Sequence, residues 1–508
     1  MMTANSTSPS QMSFKVWSAL ILVSAAWLRL RHVGVADAFV DESALILTAL
    51  DSGVRELIEP WAQGRPAAIW LFAPAGWFPG HELVVARMMS VGAGMASLVA
   101  VGWSLRQLAG RMTALVGMGL WAVMPFAVFH ERLALQDPFT TALLAWAVAL
   151  MVRGSSSAAK GAGYYFVCSG ALFGVACLNK ISAVLALPWL GLLYSGAQVH
   201  FSRPVFSRKL GGIAWGASIP LLLLLPTFAG LGSRNADLAF LPSLTAGDYW
   251  ATALRRSKLW WGWYAGYGGW VLAWLAAGGL WLAAYARARV ALLACAGVVV
   301  SLHVATLVHN RPFARYVLQD QVPLVLFLAL AWGQALFFSA RLRALAAALL
   351  ALAVAWWGSV SWQIGTEPRL AAVPPDEIEQ YYTGHWSGSG LSGVSRFLTD
   401  YADQHNVVCV VLTHRYFRPG TYWLILASVA DSRIVALPNT INDPSKLTFL
   451  HTTVGTAMGA RPFALFVLYE GDMYTAPSWV DADGSPLKLA HSVLRESGDK
   501  FNLYKYAP

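Results

Sequence analysis

Charged residues are scarce in this chain. Lys, Arg, Asp and Glu make up 12% of its 508 residues, whereas a soluble globular protein carries roughly 25%. Hydrophobic residues make up 57%. This deficit of charge is spread over many long apolar runs, so it excludes an ordinary soluble protein and indicates a polytopic membrane protein.

Cysteine is also scarce. The four cysteines are Cys168, Cys177, Cys295 and Cys409, and no two of them form a Cys-x-x-Cys pair. This argues against a disulfide framework and against a zinc cluster. The net charge is +10, but the basic residues are scattered over short loops between apolar runs. That pattern is typical of a membrane protein and not of a nucleic-acid-binding protein.

The apolar runs predict about eleven transmembrane helices in residues 13–360, after a polar tail (1–12) that we expect to be disordered. After the first helix, the spans are expected at about 83–104, 113–129, 138–152, 163–179, 181–196, 211–231, 264–285, 290–308, 321–339 and 343–360. The first run could instead be a signal peptide cleaved near Ala38. Arg29 and Arg31 lie where such a peptide should be neutral, so we favour an uncleaved helix.

Basic residues predict the topology. Short loops rich in Arg and Lys alternate along the chain and place the N-terminus in the cytoplasm, as expected for the inner (plasma) membrane. The first outer loop (31–80) would hold helices at the interface. The outer loops also carry many basic residues, which suits an anionic ligand such as a lipid-linked phosphate. Each single one could instead be a snorkelling side chain.

The C-terminal part of the chain, residues 361–508, regains charges and prolines and has no run long enough to span a membrane. We expect it to form an extracytoplasmic α/β domain, with strands at 407–412, 433–437, 464–469 and 501–506 and a helix at 422–430. Residues 388–393 match Gly-x-Gly-x-x-Gly. No strand is predicted before them and no acid follows at the required distance, so a dinucleotide site is rejected. The glycines instead predict a close backbone approach before a helix from Val394.

Asp41 and Glu42 are adjacent acids at the point where the first helix should leave the membrane. Carboxylates at that depth are costly unless they have a partner or a function. Asp41 could simply cap a helix that runs from Glu42 to Leu50 and is closed by Gly53. Alternatively, the pair is catalytic, since a carboxylate can accept the proton of an attacking hydroxyl group or bind a metal. Adjacent helical residues face different ways, so we expect Asp41 to carry the chemistry.

Several further polar residues interrupt apolar runs and are candidates for substrate binding. Arg87 lies one turn inside a span and would need a partner such as Asp41 or Glu42. An Arg side chain can bind phosphate through two donors at once. The remaining candidates are Arg65, Arg132, Asp137, Lys180, Arg311, Arg315 and Tyr316. Asp137 could instead cap a helix beginning at Pro138, and Lys180 could be a snorkelling turn residue.

In their order along the chain, these elements resemble a bacterial member of glycosyltransferase superfamily C (GT-C), in the protein O-mannosyltransferase and aminoarabinose-transferase branch (family 39 type). The matching elements are Asp41-Glu42, Arg87, Arg132 with Asp137, Gly174 to Lys180, Arg315-Tyr316 with Pro323, and Tyr382 to Gly390. Where that family often has Lys-Pro-Pro, this chain has Gly64-Arg65-Pro66. Arg65 would then substitute for the lysine in contacting the donor phosphate.

The resemblance implies an inverting membrane glycosyltransferase. It would transfer a sugar from a polyprenyl-phosphate donor to a protein, lipid or cell-envelope glycan. Asp41, the first carboxylate of the pair, would be the catalytic residue or the one that activates the acceptor. We expect the acids and the cations to converge on one hollow at the outer membrane boundary. No cofactor is certain, and a divalent metal remains an open alternative.

A transporter or lipid flippase would share the spans and the cations, but the sequence shows no repeated halves. A second alternative is a non-enzymatic sensor whose outer domain binds envelope material. Such a sensor would not need charged residues in four separate outer loops.

Overall fold

The computed structural model describes residues 10–51, 66–156, 162–197, 203–222, 246–308, 313–384, 386–413, 431–438, 444–470, 476, 480, 485–495, 498 and 500–507. In chain order, the N-terminal helices are α1 (Gln11–Leu30), α2 (Val40–Asp51), α3 (Pro66–Phe72), α4 (Glu82–Ala109), α5 (Arg111–Val123), α6 (Pro125–Glu131) and α7 (Gln136–Ser156). Then follow α8 (Ala162–Asn179), α9 (Leu187–Ala197) and α10 (Arg203–Leu222). Short 3-10 segments cover Ala73–Trp77 and Ile181–Ala186.

The second half begins with α11 (Ala246–Tyr285), which is kinked at Gly269 (φ 58°), and α12 (Arg289–Val308). The 3-10 segment Ala314–Asp320 leads into α13 (Gln321–Ala335), and α14 (Ala340–Thr366) follows. The remaining helices are α15 (Pro375–Ile378), α16 (Leu391–His405) and α17 (Pro444–Met458). The strands are β1 (Val408–Thr413), β2 (Ile434–Pro438), β3 (Phe463–Glu470), β4 (Leu487–Leu494) and β5 (Lys500–Tyr506).

By length and composition, six of the described helices can cross a membrane, and a bent pair formed by α5 and α6 makes a seventh. Four more apolar segments have 10–17 residues, and they include the expected spans at 163–179 and 181–196. A helix of 17 residues is about 26 Å long, slightly less than the roughly 30 Å of a bilayer core. The expected span at 211–231 overlaps α10, which is described as far as Leu222.

The expected single span at 113–129 is wrong in one respect, because the chain bends by 57° between α5 and α6. Met124 has extended backbone dihedrals there (φ −62°, ψ 115°). Pro125 follows it, and a proline both lacks the N–H of a continuous helix and disfavours helical geometry in the residue before it. The sequence therefore contained the signal for this bend.

The described residues divide into two compact units. The first consists of 1–31, 52–71 and 87–374, and the second of 32–51, 72–86 and 375–508. In the first unit, nearly all residues of the segment Ala314–Ala335 are buried, and the segment forms the centre of the helix packing. It contacts α5, α11, α12 and α14. Helices α8 and α10 cross at glycines, where an added Cβ on Gly216 would lie 1.9 Å from the carbonyl oxygen of Val167.

The second unit contains a five-stranded sheet in the order β2-β1-β3-β5-β4. The pairs β1–β2 and β1–β3 are parallel, and β3–β5 and β4–β5 are antiparallel. Helix α16 covers one face through Leu391, Val394 and Leu398. Helix α17 covers the other face through Leu447 and Val454.

The four predicted strands are confirmed to within one residue at each end. Strand β4 and helix α17 were not predicted. The helix expected from Val394 begins at Leu391, and the helix expected at 422–430 lies outside the described residues.

Candidate active site

The acid pair lies in the first turn of α2, within the second unit. Since the helix begins at Val40, Asp41 lies inside it, and the interpretation of Asp41 as the N-cap is wrong. Glu42 is completely buried, and its Oε2 accepts a hydrogen bond of 2.9 Å from the backbone N–H of Phe39. Asp41 is half-buried. The two carboxylates therefore differ, with Glu42 fixing the start of the helix and Asp41 retaining access to water.

The chain just before α2 is held by a turn formed by residues 386–390. The N–H of Val40 donates to the carbonyl oxygen of Trp386 at 3.1 Å, and the N–H of Gly390 donates to Oδ2 of Asp37 at 2.9 Å. The rings of Phe39 and Tyr381 meet edge to face at 4.7 Å. The predicted close approach of this glycine-rich turn is confirmed, and what it approaches is the segment that carries the acid pair.

Lys180 is the centre of a cationic cluster in the first unit. It follows α8, is 8% exposed, and forms an ion pair with Asp137 at the start of α7. Its Nζ also lies 3.9 Å from the centroid of the Tyr316 ring, a cation–π distance. Asp137 is therefore more than a residue at a helix start, because its carboxylate pairs with a buried cation. The sequence predicted all three residues as site residues, and the structure brings them together.

Arg315 precedes Tyr316 in the 3-10 segment and is 7% exposed. Its guanidinium carbon lies 4.9 Å from the ring centroid of Phe313. The segment contacts α6, α7, α12, α13 and the 3-10 turn after Lys180, so its position is fixed from several sides. Asn179 supports the neighbouring lysine, because its Nδ2 donates at 2.8 Å to both the carbonyl of Gln136 and Oγ1 of Thr140.

His130 and Tyr267 belong to the same region, although neither was predicted as a site residue. His130 is completely buried, and its Nε2 lies 3.4 Å from the hydroxyl of Tyr267. Beside it, a small pocket is lined by Phe126, Tyr264, Tyr267, Gln321 and other residues, most of them apolar. The charged His130-Glu131-Arg132 run was the available sequence signal for His130, whereas nothing local distinguished Tyr267.

Arg132 has a different setting from the one predicted. Its Nη1 donates to the carbonyls of Leu28 and Arg29, at 2.9 and 3.0 Å, near the end of α1. Arg29 itself is buried and forms an ion pair with Glu131, which also accepts a bond of 3.2 Å from Nε1 of Trp121. These bonds join α1 to the bend after α5, and the uncleaved first helix stays a prediction. Substrate binding by Arg132 stays a prediction.

Of the remaining candidates, Arg87 is 2% exposed, so it is buried in protein. Its pairing with Asp41 or Glu42 stays a prediction. Arg65 and Arg311 lie outside the described residues. Within the described part of the chain, no three His, Cys, Asp or Glu side chains are grouped as metal ligands would be.

Comparison with known proteins gives both a partial family match and a fold. Residues 65–229 match the family model described as dolichyl-phosphate-mannose-protein mannosyltransferase. No curated protein matches the sequence significantly. The fold is similar to that of ArnT from Cupriavidus metallidurans bound to undecaprenyl phosphate, at 13% identity over 97% of this chain and 98% of that chain, with a TM-score of 0.54. For the apo state of ArnT the identity is 12%, the coverage 97% of each chain and the TM-score 0.55.

A third solved structure is the Archaeoglobus fulgidus oligosaccharyltransferase in complex with Zn and sulfate. It is 13% identical over 88% of this chain and 67% of that chain, with a TM-score of 0.50. The resemblance seen in the sequence is thereby confirmed at the level of fold. The chain is a polytopic membrane protein with the GT-C fold, similar to the mannosyltransferase and ArnT type of glycosyltransferase, and its C-terminal part contains a sheet.

Proposed function

We propose that this chain, which has the GT-C glycosyltransferase fold, transfers a sugar from a polyprenyl-phosphate donor to an extracytoplasmic acceptor with inversion of the anomeric carbon. The observation that carries the proposal is the buried cluster of Lys180, Asp137, Arg315 and Tyr316 inside this fold. A buried cation is costly unless a partner or a ligand offsets its charge. Asp137 pairs with Lys180, and the proposal is that a phosphate also binds this cluster.

The cluster suits a phosphate that is joined to a lipid. Arg315 offers a planar guanidinium with several donors, and Lys180 offers a compact ammonium already oriented by Asp137 and Tyr316. Phosphate oxygens would take hydrogen bonds from both groups, as charge-assisted pairs are short and strong. Arg65 and Arg311 are proposed as further contacts, as the sequence suggested.

Asp41 is the proposed general base. Its carboxylate would accept the proton of the acceptor hydroxyl while that oxygen attacks the anomeric carbon from the face opposite the phosphate. One carbon–oxygen bond to the acceptor forms, the carbon–oxygen bond to the phosphate breaks, and polyprenyl phosphate leaves. Glu42 serves the geometry, because its carboxylate is buried against the backbone of Phe39. Lys180 and Arg315 would stabilise the charge that grows on the leaving phosphate.

The acceptor is proposed to be a protein, lipid or cell-envelope glycan outside the inner membrane, with the N-terminus of the enzyme in the cytoplasm. One feature supports this orientation: basic residues are abundant in the short loops assigned to the cytoplasm.

The proposal is tested with purified protein and labelled polyprenyl-phosphate sugars, with and without a chelator. We expect release of polyprenyl phosphate and label in the acceptor. Loss of transfer on chelation would show a metal requirement, and the sequence leaves that question open. Uptake of the intact donor that depends on a counterion, without cleavage, would favour a transporter instead.

Asp41→Asn removes the proposed base and keeps the size of the side chain. We expect transfer to fall at least a hundredfold, within the range that general bases contribute, while folding and donor binding persist. Glu42→Gln is the matched control, because its amide oxygen can still accept the N–H of Phe39. It should retain much more activity than Asp41→Asn. Unchanged transfer by Asp41→Asn would contradict the assignment.

A further inference from the structure

Arg495 has an unusual environment for a charged residue. It follows β4 in the second unit and is 2% exposed. Its Nη2 donates to the carbonyl oxygens of Gly384 and Ser387, both at 3.0 Å. Its guanidinium carbon lies 4.5 Å from the ring centroid of Phe501 in β5. A buried guanidinium is kept only where acceptors and aromatic faces replace water. Here one acceptor, Ser387, belongs to the 386–390 turn, and the other, Gly384, lies just before it.

The 386–390 turn fits closely against the segment before α2. An added Cβ on Gly388 would lie 2.4 Å from the carbonyl oxygen of Ala38. No other residue type fits that position without displacing backbone. Gly390 has a φ of +92°, in the left-handed region that favours glycine, and its N–H is the one that binds Asp37.

These contacts form a continuous path from the sheet to the acid pair. Arg495, which packs on Phe501, donates to the carbonyls of Gly384 and Ser387. The carbonyl of Trp386, in the same turn as Ser387, accepts the first N–H of α2. Asp41 is the next residue after Val40. A base must lie within hydrogen-bond reach of the proton that it accepts, and an error of 1 Å can reduce rate by about a hundredfold.

We propose that Arg495 and Asp37 are positioning residues, and that the C-terminal sheet serves transfer by holding the start of α2 so that Asp41 keeps its orientation. This inference rests on the proposed function of Asp41. The second unit would then have an internal function, which is to orient a catalytic residue, whether or not it also contacts an acceptor.

The first test measures hydrogen–deuterium exchange of the full-length protein in detergent or nanodiscs. Arg495→Gln should speed exchange in the amides of residues 38–50, while exchange in β1 and β3 stays as in wild type. Arg495→Lys should have a smaller effect, since an ammonium can still donate to the carbonyls of Gly384 and Ser387. Gly388→Ala, which alters the same contact by steric means, should reproduce the pattern.

Two variants in the same unit are controls. Arg433→Gln removes an arginine that pairs with Asp431 and Asp403 and does not bind the turn. Gly455→Ala adds a methyl group to a helical glycine whose nearest neighbour, the Phe463 ring, lies at an ordinary 3.5 Å. Both should leave exchange in residues 38–50 unchanged.

The second test is kinetic. For Arg495→Gln and Asp37→Ala, the second of which removes the acceptor of the Gly390 N–H, we expect kcat to fall about tenfold to a hundredfold. The KM for donor should stay within about twofold of wild type, because the phosphate contacts are assigned to other residues. Arg495→Lys should recover part of the loss. Wild-type exchange at 38–50 in Arg495→Gln, or equal loosening of β1 and β3, would overturn the inference. If wild-type protein transfers no sugar, the exchange result still decides whether Arg495 holds α2, so the two failures can be told apart.

Discussion

Substitutions in the Lys180–Asp137 ion pair can distinguish its effect on the stability of the protein from its effect on sugar transfer. The two side chains are only 10% and 5% exposed. In Lys180→Met the carboxylate of Asp137 loses this ammonium while it stays buried, and removing one partner of a buried pair costs about 3–5 kcal/mol. Asp137→Leu leaves the ammonium buried without this carboxylate and should cost a similar amount.

The double variant Lys180→Met/Asp137→Leu removes both charges. Replacing a buried pair by apolar side chains is often neutral or stabilising, so it should regain most of the lost stability. The coupling energy from the four proteins should be several kcal/mol, well above the 0.5 kcal/mol expected for independent sites. Transfer should remain lost in the double variant, because the proposed phosphate contact is gone.

The assay is thermal unfolding of the four purified proteins in one detergent, combined with donor KM and kcat. Lys209→Met is the matched control, since Lys209 is partly exposed and its Nζ lies 5.2 Å from the centroid of the Phe166 ring. It should change neither quantity much. A double variant that transfers sugar at the wild-type rate would refute the assignment of Lys180. Wild-type stability of Lys180→Met would refute the argument from burial.

Two further predictions concern packing and pH. Gly216→Val should destabilise the α8–α10 crossing by about 1–3 kcal/mol or more, because its Cβ would meet the carbonyl of Val167, whereas Gly211→Val, with no atom within 4 Å, should be tolerated in the same unfolding assay. A hydrogen bond from Arg433 lowers the pKa of Asp431. The folded-state pKa lies below the unfolded one, so this stabilisation is present above about pH 4 and is lost as the pH falls through the lower value. Arg433→Gln should therefore be less stable than wild type at pH 7, and the difference should shrink as the pH falls through the lowered pKa of Asp431. A difference that does not shrink on acidification would contradict the assignment.

The sequence predicted the class of the protein and much of the second unit. Long apolar runs require helices in a bilayer, and short apolar runs such as 464–469 form strands in the core of the sheet. Strand β4 was not predicted, because only one of its eight residues is fully buried and its sequence has no apolar run like those of the central strands. The bend at Met124 could have been predicted from Pro125, since a proline acts on its immediate neighbours.

The sequence identified several residues of the candidate site, but it predicted few of the contacts that these residues make. Lys180, Asp137 and Tyr316 were expected to bind substrate, and the structure shows that they first bind one another. Arg132 was expected in the same role, and its Nη1 is found on carbonyls of α1. A charged residue within an apolar run predicts a buried cation that needs acceptors, because an unpaired charge there is costly. The run does not identify those acceptors, because carbonyls and carboxylates on several other elements can serve equally well.

Composition and periodicity alone thus determined that this chain is a membrane protein with a C-terminal sheet, because burial of apolar side chains depends on local sequence. Only the tertiary structure decided which of two adjacent carboxylates is buried against the backbone, since Glu42 and Asp41 are equivalent until α2 is placed. It also decided that Asp37 meets Gly390, more than 350 residues away along the chain. Contacts at such separation depend on the path of the whole backbone, which no local pattern of residues specifies.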